Sequence, residues 1–125
     1  METFFVNTEN ISRFVVEVAR TPQQLENGLS NRKTLAPRRG MLFLFTNVGV
    51  QSMWMPNMYF PLDIVWIDTN YTIVKIDENV QPCSGTHNCH SYSSDTPVKY
   101  AIELNAFDAS RIGLTVGKKL SFSKN

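Results

Sequence analysis

The chain has 125 residues, enough to bury one core and short for two. Apolar residues make up 42% and charged residues 18%, the composition of ordinary globular material, which excludes a disordered chain. The net charge of +1, with Arg38-Arg39 and Lys118-Lys119 beside glycines where loops are expected, argues against a surface that tracks nucleic-acid phosphates, and no apolar run approaches the ~20 residues that span a bilayer.

The first residues, Met1 to Ser12, lack the basic start, apolar middle and small-residue cleavage site of a signal peptide. The expected location is therefore cytoplasmic unless an export segment has been removed. Residues 14–19 (FVVEVA) are β-branched and aromatic, and they predict a strand. Thr21, Pro22 and Gln24 then supply an N-cap, a first helical residue and a capping-box partner, and Gly28 supplies the stop of a short helix. Polar residues and Pro37 make 30–39 a loop. The continuous apolar run 40–45 (GMLFLF) reads as a strand buried on both faces, and Asn47 to Gly49 as turn material.

The stretch 52–68 (SMWMPNMYFPLDIVWID) holds both tryptophans, three of the five methionines and two of the six prolines. Pro56 and Pro61 push Met55 and Phe60 towards extended geometry, so no helix runs through it, and Phe60-Pro61 is a candidate cis bond. The reading is strand, stiff loop, strand. Asp68-Thr69-Asn70 turns the chain, and Tyr71 to Ile76 returns as the partner of an antiparallel hairpin.

Residues 82–97 form a long polar loop, of a length that is commonly functional or disordered. It contains Cys83 and Cys89, which either close a small disulfide loop in an oxidising compartment or stay thiols in a reducing one. Beyond it, Val98, Tyr100, Ile102 and Leu104 alternate with Lys99, Ala101 and Glu103, the pattern of a half-buried strand. Asn105 is placed to cap a short helix over 106–112 ended by Gly113, and 118–123 (KKLSFS) reads as a last strand. The expected architecture is α+β in one domain, 1–125: a curled, mostly antiparallel, barrel-like sheet with two short helices closing its ends.

Several motifs together resemble a known family. They are Gly28-Leu29 with Arg32, Gly40-Met41-Leu42-Phe43, Trp54-Met55 with Asn57, Pro61-Leu62-Asp63-Ile64, Tyr92 with Ser94, Glu103-Leu104, and Gly117. In that order they resemble the bacterial and archaeal domain-of-unknown-function family DUF 192. The resemblance implies a small β-rich fold and brings no established activity with it. Relatives usually carry a basic residue where this chain has Pro56 and a small hydroxyl residue where it has Met58, so an anion-binding loop is not implied here.

Candidate chemistry centres on the same stretch. Asp63 shares strand parity with Val65 and Ile67, so its carboxylate faces an apolar side and needs partners: backbone amides of the loop from Pro56 to Phe60, which it would lock, an ion pair with Arg32, or a ligand. Arg32 is equally a partner for Glu103. Trp54 is either core or a stacking platform beside Asn57 and Tyr59. Met53, Met55 and Met58 have thioethers that suit Cu(I), but the same spacing serves core packing. Cys83, His87, Cys89 and His90 lack the paired spacings of a structural zinc site, and no metal or cofactor is expected. Phosphate-cradling loops, G-x-S-x-G and H-E-x-x-H are absent.

The leading expectation is a binding module for a small polar ligand, without nucleic acid or membrane span. Trp54, Asn57 and Tyr59 would wall its site, and Arg32, Asp63 and Tyr92 would give polar contacts. The rivals are a hydrolase using Asp63, or Cys89 with His90, and an assembly subunit with an exposed apolar patch. Oligomeric state is not legible.

Overall fold

β-branched and aromatic segments pair into one large sheet. The computed structural model describes residues 2–8, 11–83 and 89–125. In chain order its elements are β1 (Thr3–Thr8), β2 (Ile11–Ala19), α1 (Pro22–Asn27), β3 (Arg39–Gly49), β4 (Ser52–Met53), β5 (Leu62–Ile67), β6 (Ile73–Val80), β7 (Tyr92–Ser93), β8 (Val98–Asn105), α2 (Asp108–Ile112) and β9 (Ser121–Lys124). The main sheet runs β6-β5-β8-β3-β2-β1-β9, and β4 pairs separately with β7. Every neighbouring pair is antiparallel except β2 and β3. Parallel neighbours need a crossover, and this one carries α1.

The sheet curls until its ends touch. Thr72 and Lys119 form a bridge just ahead of β6 and β9. Beside it Ile73 N–H donates to the Lys118 carbonyl and Leu120 N–H to the Tyr71 carbonyl, both at 2.9 Å. The rings of Tyr71, Tyr100 and Phe122 pack together there, with centroids 5.3 to 5.9 Å apart. No strand ladder continues from this bridge among the described residues, so the sheet stays open and barrel-like closure is only approached.

Alternate residues serve two cores. Val16, Val18, Leu42, Val65, Ile67, Ile102 and Leu104 face the inside of the curl, which α2 closes with Ala109 and Ile112. Met41, Phe43, Ile64, Trp66 and Ala101 face the opposite side, which Leu29, Met55 and Met58 cover. All six residues of β5 are consequently buried. The half-buried reading of β8 needs correction for the same reason: Ala101 is 0% and Glu103 4% exposed.

The helix ends show which capping signals were local. At α1 the Thr21 hydroxyl accepts the Gln24 N–H at 3.1 Å and the Gln24 side chain accepts the Thr21 N–H at 3.2 Å, while Gly28 turns the chain with φ +49°. α2 starts at Asp108, later than expected, and Asn105 does not cap it. The Asn105 amide instead donates to the Leu35 carbonyl at 2.7 Å. Three further differences are plain. β1 was not expected, Asn47 to Gly49 continue β3 rather than turn, and no cis peptide is present among the described residues, so Phe60-Pro61 is trans.

Candidate functional site

The register of the sheet sets Glu17, Met41, Glu103, Ile64 and Asp77 side by side across β2, β3, β8, β5 and β6. This row holds three acids, and two of them are satisfied. Glu17 takes a two-pronged grip from Arg32, with Nη1 on Oε2 and Nη2 on Oε1 at 3.1 Å. Asp77 accepts the Trp66 indole N–H at 2.9 Å and lies 3.5 Å from Lys75. The Glu103 carboxyl, between them, makes no hydrogen bond or ion pair with any described residue.

Two loops bury it. One runs from Gly28 to Ser30 after α1, the other from Met53 to Met58. They are tied together by Ser30, whose hydroxyl donates to the Pro56 carbonyl at 3.3 Å, and by Asn31, whose N–H donates to the Asn57 carbonyl at 2.9 Å. Asn57 adopts φ +58°, a conformation that asparagine tolerates better than most residues. The far side of the second loop is held by the Cys83 N–H on the Met55 carbonyl at 2.9 Å. Cys83 is itself joined to Cys89 in a disulfide, with Cα atoms 5.4 Å apart.

Between the loops lies a cleft of about 220 Å³, lined by Leu25, Phe43, Met53, Trp54 and Met58 among others, with Glu103 in its lining. No sealed side-chain polar atom lacks a partner among the described residues, so the Glu103 carboxyl reaches solvent through this opening. Gly28 shapes its mouth. A Cβ there would sit 3.8 Å from Glu103 Oε1 and 3.2 Å from the Phe43 ring. Gly40 lets β3 approach β8, because a Cβ would stand 2.4 Å from the Glu103 carbonyl oxygen. Burial pushes the Glu103 carboxyl up to about 8, so at neutral pH it is mainly a neutral acid.

The six expected ligand contacts do not converge. Trp54 lines the cleft and is 49% exposed. Asn57 and Tyr59 lie exposed on the same loop, outside the cleft lining. Asp63 is fully buried on the opposite face of the sheet. Its Oδ1 accepts the Asn79 and Phe107 N–H groups and its Oδ2 the Ala109 N–H, each at 3.0 Å. It therefore docks the start of α2 and offers nothing to a ligand. Arg32 is spent on Glu17 and meets neither Asp63 nor Glu103, and the Glu17 hydrogen bond is the main reason its pKa is raised. Tyr92 sits against His90, with ring centroids 4.9 Å apart, and both border a separate recess of about 160 Å³ behind Met55. His87 lies outside the described residues.

Sequence reasoning missed Glu103 as a site because strict alternation put it on a solvent face. The available signal was indirect. The runs 40–45 and 62–67, which flank β8, are apolar on both faces, so the strand between them must be covered on both faces too.

The architecture and the cleft define the class: an α+β fold built on one curled, mostly antiparallel sheet, with a buried acid in the lining of a mixed polar and apolar opening on its outer face. The chain belongs to the family DUF192, described as Uncharacterized ACR, COG1430, which it matches over residues 4–122. The chain is similar to solved structures, two of which follow. A protein of Sinorhizobium meliloti 1021, which carries a provisional label as a transcription regulator, is 37% identical with a TM-score of 0.85, covering 97% of this chain and 92% of that one. A protein of unknown function from Novosphingobium aromaticivorans DSM 12444 is 29% identical with a TM-score of 0.82, covering 95% of this chain and 83% of that one. No curated protein matches the chain.

Proposed function

We propose that this is a single binding domain for a small ligand, and that its site is the cleft between the Gly28–Ser30 and Met53–Met58 loops. One observation carries the reading: the Glu103 carboxyl is buried in the floor of the cleft and has no hydrogen-bond or ion-pair partner among the described residues. Such a group costs stability, and strongly perturbed acids in clefts mark functional sites more often than other positions do. Trp54 keeps its expected role as a wall. The polar role assigned to Asp63 and Arg32 passes to Glu103. The regulator label belongs to the Sinorhizobium protein; here the cleft is lined by Glu26 and Glu103 and, among the described residues, by no Lys, Arg or His, which suits no phosphate backbone. The hydrolase reading loses support, because Asp63 is committed to three amides and a disulfide-bonded Cys89 offers no thiolate.

The test is a titration of tryptophan emission with a panel of small amines, alcohols, acids and aromatic compounds. Trp66 is buried and bonded to Asp77, so it serves as a constant background. At least one compound is expected to shift the emission of the native chain, and Trp54→Phe is expected to abolish the shift. A panel that moves neither the emission nor the amide resonances of residues 25–30 and 52–58 removes the proposal.

A further inference from the structure

The chemistry of the lining narrows the ligand class, given the reading of the cleft as a binding site. Its ionisable residues are Glu103 and, from α1, the exposed Glu26; the remaining polar residues are Asn27, Ser30 and Ser52. Three of the chain's cations are engaged elsewhere. Arg32 holds Glu17, Lys75 bridges Asp77 and Asp95, and Lys99 donates to the Phe45 and Thr46 carbonyls. Viewed from Glu103, β2 offers Glu17 already paired, β6 offers Asp77 already paired, β3 and β5 offer Met41 and Ile64, α1 offers Glu26, and the 52–58 loop offers nothing that titrates. An anion would meet two carboxyls and, among the described lining residues, no compensating charge. A cation would meet two acids and the rings of Trp54 and Phe43, whose π-faces favour positive charge as well.

The shape adds a second constraint. The 220 Å³ opening lies below the ~300 Å³ at which ordinary ligand pockets begin. It shares Leu25, Glu26, Phe43, Ser52 and Met53 with an adjoining groove of about 380 Å³, whose walls add Phe45 and Thr46. A charged head therefore fits beside Glu103 while an apolar stem leaves along Met53 and Phe43.

We propose that the cleft takes a small alkylammonium ion, its N–H groups donating to the Glu103 carboxylate and its stem lying against Phe43, Met53 and Trp54. The neutral acid must ionise for this contact. Below about pH 8 each binding event thus releases one proton to solvent from Glu103, whose burial holds it protonated in the empty cleft. Affinity then rises with pH, by roughly tenfold per unit below that value, and levels off above it until the amine itself deprotonates near pH 10.

The experiment titrates the full chain with n-butylammonium chloride and with 1-butanol, at pH 6.5 and 8.5, reading Trp54 emission and amide shifts. Butylammonium is expected to bind about tenfold or more tighter at pH 8.5, and Glu103→Gln to lose that gain, whereas 1-butanol should respond to neither. The pH dependence of the native chain gives an answer even if Glu103→Gln does not fold. Equal binding of both probes at each pH, or a folded Glu103→Gln that binds butylammonium unchanged, overturns the cation assignment and leaves the cleft as a ligand site. No response to either probe at any pH, together with silence across the wider panel, overturns both.

Discussion

Glu103 and Asp63 are both buried carboxyls, and their environments have opposite consequences. Asp63 gathers three N–H groups, one from Asn79 on β6 and two at the start of α2, where the helix end itself favours negative charge. Replacing it with alanine strands those donors, and urea unfolding of Asp63→Ala is expected to show a loss of about 3 kcal/mol or more, or no folded state. Glu103 has no such support. Its folded pKa of about 8 lies above the ~4.3 of an unfolded glutamate, so the stability it permits is fully present at low pH. That stability drains away as pH rises from about 4.3 to about 8 and is level beyond. Thermal melts should therefore show the native chain weakening over that interval. Glu103→Gln, which keeps the shape without the ionisation, should flatten the profile and raise the melting temperature at pH 8.5 by about 4 °C or more.

Among the elements, those with local signals were legible. The capping box of α1, the β5–β6 hairpin and β8 as a strand could all be read from neighbouring residues, though not the burial of both faces of β8. What could not be read was which segment covers which face. The Met53–Met58 loop reaches across the sheet to bury Glu103, and that cover is specified by contacts between residues distant in sequence, such as Ser30 with Pro56 and Met55 with Cys83. Asp63 was legible as a buried acid in need of amides, but the amides were sought in the 56–60 loop and come from β6 and α2. Two expectations follow for the loops. Gly28→Ala forces a side chain into φ +49° against the Phe43 ring, and should cost about 1 kcal/mol in chemical denaturation while altering ligand response. Cys83→Ser should cost only about 2 kcal/mol, because the bridged loop is short, yet hydrogen exchange should accelerate at the Cys83 amide and leave β5 protected.

For the molecule as a whole, the strand-rich α+β class was readable from β-branched runs and short helical signals. The parallel β2–β3 pair was not, since no residue announces which neighbour a strand will choose. It matters for the site, because the crossover that this pair requires carries α1 and Gly28 over the outer face. The same topology ranks the regions by stability. β5, β8 and β3 are paired on both sides, whereas the contact at Thr72 and Lys119 is a single bridge. Amides of Ile73 and Leu120 are expected to exchange with solvent well before those of Ile64 and Ile102, a ranking that native-state exchange would check.

That bridge also governs how the chain behaves towards copies of itself. β6 and β9 are the two outermost strands, and each would otherwise present a row of unused amides and carbonyls to any passing extended segment. By turning them towards one another the curl withdraws part of both margins from intermolecular pairing. A chain shortened before Lys118 would leave β1 and β6 as bare margins, with the Tyr71 and Tyr100 rings uncovered beside them. Its expected fate is end-to-end assembly through added strands, visible as growing light scattering while the far-ultraviolet dichroism still reports sheet.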